Sequence, residues 1–171
     1  LIMNQNPQDK KFQFSEFPTL SSNTLILREI TPADAASIME ISYYDGIQAK
    51  SEEEAAAMLE KINASYGKGE SIHWGICFKD QNEIVGTCGF YRGFPNNIGE
   101  IGYVLKEAHR GKGIMTQAVR LAVEFGLKEM KLDQVTAYTD KTNTGSVNVL
   151  KRSGFKEVTS ENEYLKFFVS P

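Results

Sequence analysis

The sequence predicts an α+β domain in which an antiparallel run of strands is followed by a helical crossover into further strands, and three observations predict it. Residues 71–78, 83–91 and 98–105 are extended segments separated by short turns at residues 80–82 and 95–97, the pattern of an antiparallel meander. Directly after them the hydrophobic period lengthens from two to about 3.6 residues, over residues 112–130. A strand, a short helix and a last strand complete the order βααβββαβαβ, with no internal repeat or linker. One mixed central sheet flanked by about four helices accounts for this order.

Taken in order, residues 1–17 read as a flexible lead-in, polar over residues 1–11, and residues 18–171 as a single domain. Residues 24–30 alternate apolar and polar side chains and form the first strand. Thr31-Pro32-Ala33-Asp34 supplies a capping hydroxyl, a proline at the first helical position and an acid in the first turn, so a helix is expected to about Tyr44, ending at Asp45-Gly46. Ser51 and Glu54 form a capping-box pattern ahead of a second helix over residues 55–66. Trp74 and His73 alternate on the first meander strand, Trp74 toward the core and His73 toward the surface or a groove. In the long helix Ile114, Ala118, Leu121, Ala122 and Phe125 form one apolar stripe. Residues 134–139 read as a strand, 143–152 as a helix ended by Gly154, and 164–169 as the last strand.

At 171 residues, a single domain buries roughly 70% of its unfolded surface without metals or crosslinks. With 41% hydrophobic and 24% charged residues the chain has an ordinary soluble composition. No apolar run approaches the roughly 20 residues that span a bilayer, so no membrane partner and a cytoplasmic location are expected. Cys77 and Cys88, both in strands, are expected as free buried thiols, and neither has metal-ligand spacing to a second Cys or His. A net charge of −3 argues against nucleic acid. Positive charge is nevertheless concentrated in two segments: Lys106, Arg110, Lys112 and Arg120 against Glu107 alone, and Lys141, Lys151, Arg152 and Lys156 with no acid. Such clusters suit a small polyanionic ligand.

The first cluster surrounds Arg110-Gly111-Lys112-Gly113, a glycine turn between a strand and the long helix. At a helix N-terminus the leading N–H groups lack intrahelical partners and the dipole favours an anion, so this turn can wrap a phosphate. A tight connection with solvated basic residues is the alternative. The turn has neither the third glycine of a dinucleotide fingerprint nor the Gly-Lys-Ser/Thr ending of a P-loop.

This segment resembles the pyrophosphate loop of the GNAT acetyltransferase superfamily. Residues 25–28 with Thr31 and Asp34, and Asn143, Ser146, Val149, Leu150, Arg152 and Gly154-Phe155, resemble the branch that acetylates ribosomal-protein N-termini, with Arg152 where that branch usually has Lys and Ala108 where the loop often has Gln or Arg. The resemblance, over about residues 18–158, implies acetyl-CoA as cosubstrate and no metal. It implies main-chain pairing of the pantetheine arm with Tyr103, Val104 and Leu105 in a splay between two strands. The diphosphate would lie on Arg110, Gly111, Lys112, Gly113, Ile114 and Met115, and Asn143 would bond the pantetheine unless it serves only as a helix cap. Glu100, among apolar neighbours, is the candidate general base, with an exposed or ion-paired carboxylate as the alternative. Ser146 is the candidate donor to the CoA sulfur, or else a helix-local hydroxyl. The expected reaction is direct transfer of acetyl to a primary amine, foremost a protein N-terminal α-amine. A small amine or polyamine, attracted by the acidic run Glu52-Glu53-Glu54, and a non-catalytic acyl-CoA sensor are the alternatives. The chain is expected as a monomer or homodimer.

Overall fold

The computed structural model describes residues 10–158 and 163–171. The chain enters the sheet with β1 (Leu20–Ser21) and β2 (Leu25–Glu29) and then makes two single 3-10 turns at Pro32–Asp34 and Met39–Ile41. A small hairpin, β3 (Tyr43–Tyr44) and β4 (Ile47–Gln48), leads into helix α1 (Glu52–Gly67). The meander follows as β5 (Ile72–Phe78), β6 (Ile84–Tyr91) and β7 (Ile98–Leu105). Helix α2 (Ile114–Glu124) continues as one wider π turn over Phe125–Glu129, and β8 (Gln134–Asp140), α3 (Thr144–Arg152), β9 (Lys156–Val158) and β10 (Tyr164–Val169) close the chain. Eight strands form one sheet in the order β1-β2-β5-β6-β7-β8-β10-β9, antiparallel except for the β7–β8 pair.

Three α-helices are present among the described residues, because the first expected helix is absent. Its start is as read: the Thr31 N–H donates to the Asp34 carboxylate at 2.8 Å. That carboxylate also takes both arms of the Arg28 guanidinium at 3.0 Å, tying the first turn to β2. Beyond it the buried residues are Ala35, Ile38 and Ile41, three apart, which suits 3-10 turns rather than an α-helical stripe. Of the expected flexible lead-in over residues 1–17, residues 1–9 lie outside the described residues, and the part that is described is packed. Phe12, Phe14 and Phe17 pack on the core, the Phe12 ring edge-on to Phe94 with centroids 4.8 Å apart, and the Phe12 N–H donates to the Gly69 carbonyl at 2.9 Å.

The main core lies between the sheet and α2, around Trp74, Phe90, Phe94 and Phe167, with Ala118, Val119 and Ala122 supplying the helix face. Trp74 satisfies its indole N–H on the Pro18 carbonyl at 2.8 Å. On the opposite face Leu59 of α1 joins Ile30, Ile38, Ile41 and Ile84 in a second cluster. Cys77 and Cys88 are free and buried. Among the described residues no helix is long and apolar enough to cross a membrane.

One departure from a regular sheet positions the site. The parallel pairing of β7 with β8 covers only Ile98–Glu100 against Gln134–Thr136, after which the two strands splay. The second half of β7 stays paired to β6 as far as Leu105 with Gly86, leaving its other edge toward the gap.

Candidate active site

A cleft of about 650 Å³ fills the splay. Its walls are the end of β7, the turn before α2, and the first turns of α2 and α3. All the expected ligand-binding and thiolate residues line it except Lys112, which lies in the turn without lining the cleft: Tyr103, Val104, Leu105, Arg110, Gly111, Gly113, Ile114, Met115, Asn143 and Ser146. Gly111 and Gly113 have φ of +75° and +76°, a left-handed backbone that costs a side-chain-bearing residue roughly 1–2 kcal/mol. Gly113 is the N-cap of α2, so the N–H groups that follow it open onto the cleft unsatisfied by the helix. Arg110 Nε donates to the Leu105 carbonyl at 3.2 Å, folding the guanidinium across the end of β7. Lys106 belongs to the same basic cluster by sequence but turns away, 3.5 Å from Glu83.

Asn143 caps α3, its Oδ1 accepting the Ser146 N–H at 3.1 Å. Ser146 Oγ lies 2.8 Å from the Tyr103 hydroxyl, so two hydroxyls rather than one face the middle of the cleft. Burial pushes the Tyr103 phenol up to about 12, against a smaller lowering by the bond to Ser146, which keeps it protonated and able to donate. The sequence reading assigned Tyr103 only its main chain and missed this pair. It also missed Thr116, Gly145, Asn148, Val149 and Arg152, which line the same cleft. The signal for the last three lay in the 3.6-residue period of α3, where 145, 148, 149 and 152 share a face.

Tyr103, Val104 and Tyr43 also line a second cleft of about 350 Å³ on the other side of β7. Its roof is the β3–β4 hairpin and α1, and its charged residues are Asp45, Lys61 and Arg92. His73 lines it too, with neither ring nitrogen hydrogen-bonded among the described residues, and burial pushes its imidazole down to about 4. Tyr91, Arg92 and Gly102 then connect this cleft to a third depression, which holds Glu100 together with Tyr138 and Tyr164, 51% and 58% exposed.

Glu100 is therefore not lodged among apolar side chains. Its carboxylate accepts from Arg92, the residue that follows β6, and its side chain is 24% exposed. It shares a sheet face with Gly102 and Val104, because alternate residues of a strand point the same way. The structure brings eleven of the twelve expected residues to one end of the sheet around the splay, ten as cleft lining and Lys112 beside it, and leaves Glu100 one cleft farther along.

Residues 24–156 match the family model described as Acetyltransferase (GNAT) domain. The chain belongs to this family of acetyltransferases. It is 30% identical over 157 residues to the uncharacterized N-acetyltransferase YoaA of Bacillus subtilis (strain 168), covering 87% of this chain and 89% of that protein. It is 25% identical over 111 residues to the [ribosomal protein uS5]-alanine N-acetyltransferase of Escherichia coli (strain K12), covering 64% of this chain and 57% of that protein. The fold matches that of RimL, a ribosomal alpha-N-protein acetyltransferase solved in complex with coenzyme A, with a TM-score of 0.77 at 19% identity over 90% of this chain and 98% of that one. The chain is thus an N-acetyltransferase of the GNAT fold, with relatives that act on ribosomal proteins. A sensor without catalysis is set aside.

Proposed function

We propose that this N-acetyltransferase takes its acetyl group from acetyl-CoA and delivers it by direct attack to the α-amine at a protein N-terminus. One observation carries the reading: the donor cleft meets the second cleft at Tyr103, and that cleft opens in turn onto the depression at Tyr138 and Tyr164, a continuous course suited to an extended acceptor chain. Two relatives bound to ribosomal-protein substrates by name, one of them holding coenzyme A, support it.

On this reading the turn at Arg110–Gly113 and the N-terminus of α2 hold the diphosphate, and the free edge of Tyr103–Leu105 pairs with the pantetheine amides. The amine nitrogen attacks the thioester carbon from the second cleft. Its proton passes through water to Glu100, the C–S bond breaks, and the Ser146–Tyr103 hydroxyl pair donates to the departing thiolate. An acetyl-cysteine intermediate has no support, because burial pushes the Cys88 thiol up to about 12 and raises that of Cys77, and neither lines the donor cleft.

An α-amine, with an unperturbed pKa of about 7.7 to 8.0 against about 10.4 for lysine, is neutral at pH 7 in a fraction several hundred times larger, so one base has less to do. A polyamine is less favoured, because the acidic run Glu52-Glu53-Glu54 that would attract it does not line the second cleft. The test uses two short peptides, each with one lysine, one with a free and one with a blocked N-terminus, and locates the acetyl by mass spectrometry. Acetylation of the free N-terminus alone is expected. Equal or faster modification of lysine in the blocked peptide contradicts the reading, and silence on both, with turnover of spermidine, replaces it with a small-amine acceptor.

A further inference from the structure

His73 on β5 stands opposite Gly89 on β6, and Gly89 stands opposite Gly102 on β7, so the three form one row across the acceptor face of the sheet. One ring runs past both bare positions. A Cβ at 89 would run into the Ile72 carbonyl oxygen at 2.4 Å and would also come 3.1 Å from the Tyr91 hydroxyl, and a Cβ at 102 would come 3.1 Å from the Tyr91 ring. Tyr91 therefore lies along the row and meets the imidazole of His73 edge-on, centroids 5.6 Å apart. Both His73 nitrogens are buried without a partner among the described residues, although the side chain lines the acceptor cleft. Folded proteins keep few such atoms, because each forgoes the hydrogen bonds it makes in water, and a phenylalanine would fill the same space without that loss.

We propose that His73 is the residue that hydrogen-bonds the body of the acceptor, and that the ring of Tyr91 turns aside to admit it. This rests on the acceptor cleft assigned above. His73 lies two strand spacings, roughly 10 Å, from Gly102 beside the reaction point. An extended chain advances about 3.4 Å per residue, so the imidazole faces the third acceptor residue and not the attacking nitrogen. Burial holds the ring neutral, its value pushed down to about 4, and a neutral imidazole offers one N–H and one lone pair, enough for a peptide group. At that distance the imidazole cannot take the proton of the attacking amine, which gives His73 a binding role.

The variant His73→Phe keeps the ring shape and removes both polar atoms. The expected result is a rise of at least about tenfold in KM for a free-N-terminus tripeptide with kcat within about threefold, and a far smaller change for alaninamide, which is too short to reach the ring. The melting temperature should hold or rise, since two unpaired atoms are gone, and His73→Gln, which restores a donor and an acceptor, should recover most of the KM. A lowered melting temperature with equal losses on tripeptide and alaninamide would make His73 a structural residue and overturn the proposal, as would an unchanged tripeptide KM. A second measurement needs no variant. The chain has two histidines, His73 and His109, so the imidazole nitrogen-15 spectrum of the wild type contains two residues. Titrating the tripeptide in the presence of CoA should move the His73 nitrogens to saturation; no movement at saturating peptide overturns the proposal. If the wild type acetylates spermidine and not peptides, the N-terminal reading fails by itself. The same measurements, with spermidine against ethylamine, then decide the role of His73 by the same outcomes.

Discussion

The proposed donor cleft and the proposed acceptor cleft share Tyr43, Tyr103 and Val104 but are otherwise built from different parts of the polypeptide. The proposed donor side offers mainly main-chain groups: the unpaired edge of β7, the left-handed glycines at 111 and 113, and the first N–H groups of α2. The acceptor side relies on side chains from the β3–β4 hairpin, α1, β5, β6 and β7 brought together by the fold. A ligand common to a whole family can be held by backbone geometry, which a few glycines and a helix start encode locally. A ligand particular to one enzyme needs side chains, and these come from wherever the chain passes.

This contrast can be broken at the chemical step, where the two sides meet, and the largest effect is expected there. Glu100→Gln removes the proposed proton acceptor and should lower kcat by roughly 100- to 10,000-fold while leaving acetyl-CoA affinity nearly intact. Steady-state kinetics with calorimetry checks both halves. A loss below about threefold would give the proton to another group and return Glu100 to its ion pair with Arg92.

A smaller effect is expected at Ser146. With the Tyr103 hydroxyl 2.8 Å away, loss of the serine hydroxyl leaves a second donor in reach of the sulfur. Ser146→Ala should therefore lower kcat only about three- to tenfold, the worth of one hydrogen bond. A drop in melting temperature with kcat unchanged would show that the serine serves α3 alone.

The same contrast explains what could be read without coordinates. The meander, α2, α3 and the glycine turn were legible because period, capping and glycine placement are local signals. The hairpin at Tyr43–Gln48 was not, because the strong helix start at Thr31–Asp34 gives no sign that Arg28 will bind the Asp34 carboxylate. Tyr43, which lines both clefts, was lost with it. The Ser146–Tyr103 pair joins residues 43 positions apart, beyond any local pattern. Glu100 was singled out by its position on the strand, whereas its partner Arg92 depends on the β6–β7 register.

The claim on which the account rests is that backbone at the start of α2 holds the diphosphate of acetyl-CoA. Calorimetric titration of acetyl-CoA into Gly113→Ala and Gly113→Glu tests it most directly, because both substitutions carry the same left-handed strain at φ +76° and only the second adds negative charge. Thermal unfolding of the two should be similar. The glutamate variant should bind acetyl-CoA at least about tenfold more weakly than the alanine variant, and equal affinities for the two folded variants would remove the diphosphate from the start of α2.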